Sequence, residues 1–202
     1  MRQLPKIFGV IAVLWTSGCL GQHQSLNCPG VTPIKDALNA ISEPSPDGLL
    51  TACLVDYKET ETHTYTGVFL IRNGTPRLLK TYVDAGPSGS IAWSPDSRRF
   101  AATLSSGGPA AIWSIDIFNS STGVWKTLGE EAGHDLLQSY QCKINKEREL
   151  ISAKWDHWIS SEEAVIQVSI DPIVALCQRE GLMDPVKFRV RLPSGSIVSR
   201  EP

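Results

Sequence analysis

Four consecutive residues, Trp155-Asp156-His157-Trp158, place two indole rings, a carboxylate and an imidazole in one short segment. Aromatic faces beside polar groups can bind a sugar or a peptide, so one interpretation is a binding surface. The other interpretation is a strand end, with Trp155 packed inward and Asp156 and His157 exposed in a turn. We favour the second interpretation and keep the four residues as a candidate binding surface.

Catalytic motifs are weak throughout the chain. His134 precedes Asp135 in a segment that we expect to be a loop, and no Gly-x-Ser-x-Gly sequence supplies a nucleophile for a Ser-His-Asp triad. The pairs Glu130-Glu131 and Glu162-Glu163 consist of adjacent residues, which point to opposite faces in a strand. They do not match a glycosidase pair, whose carboxyl groups lie about 5–9.5 Å apart. We therefore predict no catalytic residues and no cofactor.

The cysteines indicate an oxidising compartment. Apart from Cys19, four remain, an even number that favours two disulfides in an exported chain. We favour the local pairs Cys28–Cys53 and Cys142–Cys177, and the alternative is four buried free thiols. Zinc is not expected, because the sequence has no Cys-x₂-Cys spacing.

The amino end has the pattern of a secretory signal peptide over residues 1–18. Arg2 and Lys6 form a basic head, residues 7–15 are uncharged and mostly apolar, and small residues follow. A membrane-spanning helix would need about 20 apolar residues, more than this run provides.

Ser17-Gly18-Cys19 resembles the lipobox of bacterial lipoproteins, with Thr16 where that family has an aliphatic residue. The resemblance implies that Cys19 is acylated, for example with palmitate, and becomes the first residue of an envelope lipoprotein. Leu20 rather than Asp at the next position implies the outer membrane. The alternative is ordinary signal cleavage after Gly18 or Gly21 and plain secretion.

The composition limits the partners. The formal net charge is −2, and removal of the signal peptide makes the chain more acidic. Because no basic stripe is present, a nucleic acid is not an expected partner. We expect a tether over residues 19–32, a single β-rich domain over 33–202, contact with the membrane through the lipid, and another envelope protein as partner.

Two segments of the domain repeat 49 positions apart. Ser45-Pro46-Asp47-Gly48 and Ser94-Pro95-Asp96-Ser97 each precede an apolar stretch of strand length. Proline presets the second position of a type I turn, and Asp and Gly suit the positions that follow. We therefore predict antiparallel β units over residues 41–90, 91–138 and 139–202, the third being degenerate.

Two short helices are also predicted, near residues 33–41 and 172–180. In the first, Ile34, Ala37, Leu38 and Ile41 recur at helical spacing. The same residues would have to form the first strand if the first β unit is complete, so both alternatives stay open. Asp171-Pro172 begins the second helix and Gly181 ends it.

Trp93-Ser94-Pro95-Asp96 followed by an apolar strand resembles the repeats of TolB-like and WD40-like β-propellers. The resemblance implies a mainly β fold, either part of a propeller or a β-sandwich, and a non-catalytic binding or scaffolding role. One alternative is an envelope hydrolase on a propeller-like fold, which a pocket containing His134 or His157 would favour. Another is an inhibitor or immunity-type protein that binds one partner through the polar loop Lys58–Thr64.

Overall fold

The computed structural model describes residues 28, 31, 37–58, 64–83, 89–106, 112–139, 151–170 and 184–201. The predicted mainly β class is confirmed, because these residues form three antiparallel four-stranded sheets and one short helix. The predicted helix at 172–180, the signal peptide, Cys19, Cys142 and Cys177 lie outside the described residues.

Each sheet is a meander in which consecutive strands pair side by side. Sheet I contains β1 (Ala37–Pro44), β2 (Leu50–Lys58), β3 (Thr64–Arg72) and β4 (Thr75–Val83). Sheet II contains β5 (Gly89–Trp93), β6 (Arg99–Ser105), β7 (Trp113–Asn119) and β8 (Trp125–Leu128). Helix α1 (Glu130–Ser139) follows. Sheet III contains β9 (Ile151–Trp158), β10 (Glu163–Ile170), β11 (Val186–Arg191) and β12 (Ser196–Arg200).

The helix predicted near 33–41 is wrong in its described part. Residues 37–41 belong to β1, which pairs with β2 from Ala37↔Tyr57 to Pro44↔Thr51. A short segment with helical spacing forms only a marginally stable helix. A strand at this position instead forms backbone hydrogen bonds with β2.

The two Ser-Pro-Asp turns have the same hydrogen bonds at the same offset of 49 positions. In the first turn, the Ser45 hydroxyl lies 2.7 Å from Asp47 Oδ1 and accepts the Leu50 N–H at 3.0 Å. In the second, the Ser94 hydroxyl lies 2.7 Å from Asp96 Oδ1 and accepts the Arg99 N–H at 2.9 Å. The serine therefore closes each turn onto the strand that follows it.

The sheets stack face to face, and an apolar layer fills each gap. Phe100 and Phe118 from sheet II pack between sheets I and II, with ring centroids 5.0 Å apart, against Leu54 and Val68 from sheet I. Sheet II, sheet III and helix α1 enclose the second layer, whose buried members include Ile115, Leu136, Ile166, Phe188 and Val190.

The two outer faces of the stack differ. On sheet I, Cys53, Val55 and Ile71 form an apolar cluster that Cys28 joins, because a disulfide links Cys28 to Cys53 with their Cα atoms 6.1 Å apart. The predicted Cys28–Cys53 pair is thus present. On sheet III, the outer face carries a polar network that includes the Arg189–Glu163 ion pair. A polar outer face of this kind keeps a stack of repeated units from adding further units.

Helix α1 corrects two sequence expectations. His134 and Asp135 lie on this helix rather than in a loop, and Glu130 and Glu131 form its first turn, where carboxylates favour the helix dipole. In the predicted third unit, Ser139 ends the helix, residues 140–150 lie outside the described part, and sheet III begins at Ile151.

Candidate binding groove along strand β8

The structure divides the Trp155–Trp158 segment between two faces of sheet III. All four residues lie in β9, so the prediction that Asp156 and His157 occupy a turn is wrong. Asp156 is the extra residue of a β-bulge, because Trp155 pairs with Ile166 and His157 pairs with Val165. A bulge re-aims side chains locally.

The two indoles are packing residues. Trp155 and Trp158 are half-buried against the layer between sheets II and III, with ring centroids 4.6 Å apart. The Trp158 indole N–H donates to the carbonyl oxygen of Ala92 at 3.3 Å, so this ring ties sheet III to sheet II. The rings therefore do not form an open lip for a sugar or a peptide.

Asp156 and His157 belong to the polar outer face. The Asp156 carboxylate accepts hydrogen bonds from Lys187 Nζ at 3.0 Å and Gln167 Nε2 at 2.8 Å, and it lies 3.1 Å from His157 Nδ1. The hydrogen bond from Lys187 is the main cause that holds the pKa of Asp156 below its ordinary value. This network joins β9, β10 and β11 and has a structural role.

A concave surface of the described residues lies beside strands β7 and β8 of sheet II. A cleft of about 600 Å³ separates the end of β7 and strand β8 from the β11–β12 turn. Its lining is mostly apolar at the centre, and Arg99 and Lys126 carry positive charges. The lining residues are Arg99, Ile117, Asn119, Thr122, Val124, Trp125, Lys126, Pro193 and Ser194.

A second cleft of about 330 Å³ continues the first along the same strand. It shares Lys126 and Ser194 with the larger cleft and extends past Leu128 to Glu130, Glu131 and His134 of helix α1. We call the two clefts together the β8 groove. It is basic at Arg99 and, where the two clefts meet, at Lys126. It is apolar around Ile117, Val124 and Pro193, and acidic at the start of α1.

Trp125 is held in place by a buried ion pair behind it. Lys80 Nζ, from β4 of sheet I, lies 3.2 Å from the centroid of the Trp125 ring. The same ammonium group lies 2.5 Å from Asp116 Oδ2, and the side chain of Asp116 is only 2% exposed. A desolvated cation over an indole is attracted by the ring quadrupole.

Both carboxylate oxygens of Asp116 accept further hydrogen bonds. Thr127 Oγ1 donates to Asp116 Oδ1 at 2.6 Å, and the Tyr82 hydroxyl donates to Asp116 Oδ2. Burial is the main cause that raises the pKa of Tyr82 well above its ordinary value, and the Asp116 charge adds to it. The phenol therefore stays a donor, and the cluster fixes β4 against β7 and β8 beneath the groove.

Polar contacts also shape the rim of the groove. Arg99 Nη1 donates to the Ser161 carbonyl oxygen at 2.7 Å, and Lys126 Nζ donates to the Ser194 carbonyl oxygen. At the other end, Glu131 Oε1 accepts the Ile197 N–H at 3.3 Å. All of these bonds join sheet III to sheet II or to α1, so the rim has a defined shape.

Of the residues singled out in the sequence, the groove contains His134, Glu130 and Glu131. Lys58 and Thr64 end β2 and begin β3, and residues 59–63 between them lie outside the described part. The groove residues Trp125, Lys126 and Arg99 were not predicted. The one available signal was Val124-Trp125, two large apolar residues directly after the turn glycine Gly123.

In the described ranges, no group of three or more His, Cys, Asp or Glu side chains could hold a metal ion. No described helix is long and apolar enough to cross a membrane.

The chain matches no protein-family model, no curated protein and no solved structure.

Proposed function

We propose that this chain is an exported envelope protein, anchored by a lipid on Cys19, whose body binds a partner protein in the β8 groove without catalysing a reaction. The observation that carries the binding role is the combination of two exposed apolar side chains with a cleft. Val124 is 69% exposed and Trp125 is 42% exposed, and both line the larger cleft. Interface hot spots are enriched in tryptophan, and the Trp125 ring packs on Lys80 of sheet I while the rest of its surface stays exposed.

The charges at the groove suit a protein ligand better than an apolar small molecule. Arg99 lies at one end, Lys126 lies where the two clefts meet, and Glu130 and Glu131 lie at the other end. Opposite charges at the two ends of an apolar groove select the orientation of a partner and disfavour partners with the wrong charge pattern.

The architecture supports a binding role through an analogy. Propeller blades are four-stranded antiparallel sheets, and each sheet here is a four-stranded antiparallel meander. We infer that the three units are propeller-like blades whose outer edges carry the interaction surface. A fold alone does not fix a function, so this inference adds to the groove and does not replace it.

The anchor is supported by Ser17-Gly18-Cys19 after the apolar run. The test is metabolic labelling of bacteria that express the chain with a fatty acid. We expect label and membrane fractionation for the wild type and loss of both for Cys19→Ser. Equal labelling of the wild type and Cys19→Ser would refute the lipid anchor. The proposed binding role of the β8 groove would be unaffected.

The binding role is tested by affinity capture of the full chain from solubilised envelopes. Val124→Glu places a charge in the apolar centre of the groove, and Val83→Glu is the matched control. Val83 is 61% exposed on β4 and does not line either cleft. We expect a partner that Val83→Glu retains and Val124→Glu loses. A partner retained by both variants would refute the groove as the binding site.

A hydrolase is the second candidate, because His134 lines the smaller cleft together with Glu130 and Glu131. An imidazole beside carboxylates in a cleft can act as a general base. Turnover of peptide, ester or glycoside libraries that is lost in His134→Ala would favour it. Loss in His157→Ala would not, because His157 lies on the outer face of sheet III.

A further inference from the structure

The larger cleft lies over one face of sheet II, and the strand pairing shows which side chains form its floor. Arg99 of β6 pairs with Asn119 of β7. Two positions away on β7, Ile117 pairs with Lys126 of β8. Paired residues, and alternate residues of one strand, point to the same face of a sheet. All four side chains line the cleft, so its floor has a cation at each end of a diagonal that crosses Ile117.

A hydrogen bond crosses the β8 groove at the inner end of this cleft. Lys126 Nζ donates to the Ser194 carbonyl oxygen, which joins the floor to the β11–β12 turn on the opposite wall. Both residues line both clefts, so the bond lies where the two clefts meet. An extended chain in the larger cleft must therefore end at Lys126 or break this bond.

The larger cleft carries positive charge that no carboxylate of its own balances. Its described lining contains no Asp or Glu, and none of the described ion pairs includes Arg99 or Lys126. Each of these two side chains donates one hydrogen bond, to a backbone carbonyl oxygen. An ammonium and a guanidinium each have several N–H donors, so both cations keep donors for a ligand. The cleft is thus complementary to an anion attached to an apolar group.

We propose that the larger cleft binds the carboxyl terminus of the partner protein. The terminal carboxylate binds Lys126, and the last side chain, an apolar one, packs on Ile117 and Val124. This inference rests on the proposed binding role and adds which part of the partner is recognised. A chain end carries its carboxylate directly beside its last side chain and does not have to pass the Lys126–Ser194 bond. Capture of a terminal carboxylate is a recurring mode of peptide recognition.

Arg99 extends the recognition to the residues before the terminus. Two strand spacings of about 4.8 Å and a two-residue step of about 7 Å place its Cα atom about 12 Å from that of Lys126. Its guanidinium is held by the Ser161 carbonyl oxygen at 2.7 Å, so its position at the cleft is defined. Arg99 therefore faces residues that precede the last one and disfavours a basic residue among them.

The probes for the test are fluorescent hexapeptides with a free carboxyl terminus, in which Leu, Ile, Val or Phe follows Gly-Ser-Gly-Ser-Thr. Their binding to the full-length protein in detergent is measured by fluorescence anisotropy, and the tightest binder is the parent peptide. One altered peptide has a terminal amide, which removes only the charge. A second ends in Ser, which removes the apolar side chain. A third has Gly-Gly after the apolar residue, which moves the carboxylate away from it.

We expect each altered peptide to bind at least about tenfold more weakly than the parent, a change of about 1.4 kcal/mol. Lys126→Gln should weaken the parent by a similar factor and leave the amide peptide within about twofold, because the amide offers Lys126 no charge. Lys126→Arg should bind the parent within about threefold of the wild type, because a guanidinium also binds carboxylates. Lys154→Gln is the matched control and should change nothing, because Lys154 is exposed on β9 and lines neither cleft.

The proposal is overturned if the amide peptide binds like the parent, if Lys126→Gln weakens both peptides equally, or if none of the free-acid peptides binds. Binding of decanoate that Lys126→Gln weakens, without binding of any peptide, would assign the cleft to an anionic lipid and also overturn the proposal. If capture of an envelope partner still depends on Val124 in these cases, recognition of a carboxyl terminus fails while the proposed binding role stands.

Discussion

The hydroxyl oxygen of Ser97 accepts a hydrogen bond from the backbone N–H of Asp47 at 3.1 Å, and this bond joins the two Ser-Pro-Asp turns. Ser97 has a φ of 59°, in the left-handed region, where the first turn has Gly48 with a φ of 71°. The serine is therefore strained where glycine would not be, and its hydroxyl links sheet II to sheet I. The Ser45 hydroxyl is the main cause that holds the pKa of Asp47 below its ordinary value, and Ser97 adds to this effect.

Two substitutions at Ser97 separate the strain from the hydrogen bond. Ser97→Ala keeps the left-handed strain and loses the bond, so we expect a loss of about 1 kcal/mol of unfolding free energy. Ser97→Gly loses the bond and relieves about 1–2 kcal/mol of strain, so its stability should equal or exceed that of the wild type. Urea denaturation measures both. Equal stability of the alanine and glycine variants would show that the strain is not present.

The Lys80–Asp116 pair should behave as a coupled buried pair. Asp116→Ala leaves the Lys80 ammonium without its counter-ion and should cost about 3–5 kcal/mol of unfolding free energy. The double variant Lys80→Ala, Asp116→Ala should lose less than the sum of the single losses, by at least about 1 kcal/mol. A double-mutant cycle in urea checks this. Additive losses would mean that the pair does not hold β4 against β7.

The contribution of Asp56 to the stability of the fold depends on pH. Its sign is opposite to that of a carboxylate whose pKa is lowered by folding. Burial raises the pKa of Asp56, and a 2.6 Å hydrogen bond from Thr66 Oγ1 only partly compensates. The folded state then binds its proton more tightly than the unfolded state, so this residue lowers stability as the pH rises through the unfolded and then the folded pKa.

Asp56→Asn keeps an acceptor for Thr66 without the charge. We expect the variant to be more stable than the wild type at pH 7, and we expect the difference to disappear below about pH 4, where the carboxyl is protonated in both states. Denaturation curves at the two pH values test this. A variant less stable than the wild type at pH 7 would contradict the role of burial.

The Cys28–Cys53 disulfide should stabilise the outer face of sheet I. Cys28→Ala should cost about 2–4 kcal/mol of unfolding free energy, because the closed loop no longer restricts the unfolded chain. The double variant Cys28→Ala, Cys53→Ala should cost nearly the same as the single one, which shows that the bond and not the thiol is responsible. The intact mass of this double variant before and after reduction tests the predicted Cys142–Cys177 pair separately, because Cys28 and Cys53 are absent from it.

Local chemistry explains which parts of the fold could be predicted. The Ser-Pro-Asp turns and the Asn73-Gly74 hairpin, where both residues have positive φ, are determined by a few adjacent residues. Helix α1 was missed because Gly133, directly before His134 and Asp135, suggested a loop. Its signal was present in Ala132 and Leu136, four positions apart and both buried.

The candidate site could not be predicted in the same way. Lys80 and Asp116 are 36 residues apart, and they meet only because sheet I stacks on sheet II. Ser194 reaches Lys126 across 68 residues through the β11–β12 turn. No local pattern reports such contacts. The Trp155–Trp158 segment, which does form a dense local cluster, is instead divided between the core and the outer face by the bulge at Asp156.

The most direct test of the binding role is site-specific photocrosslinking in intact cells. The photoreactive amino acid p-benzoylphenylalanine replaces Val124 in one strain and Val83 in another, two positions of similar exposure, at 69% and 61%. A binding role for the β8 groove predicts a covalent adduct with one envelope protein from position 124 and no such adduct from position 83. The same adducts from both positions, or none from position 124, would contradict it.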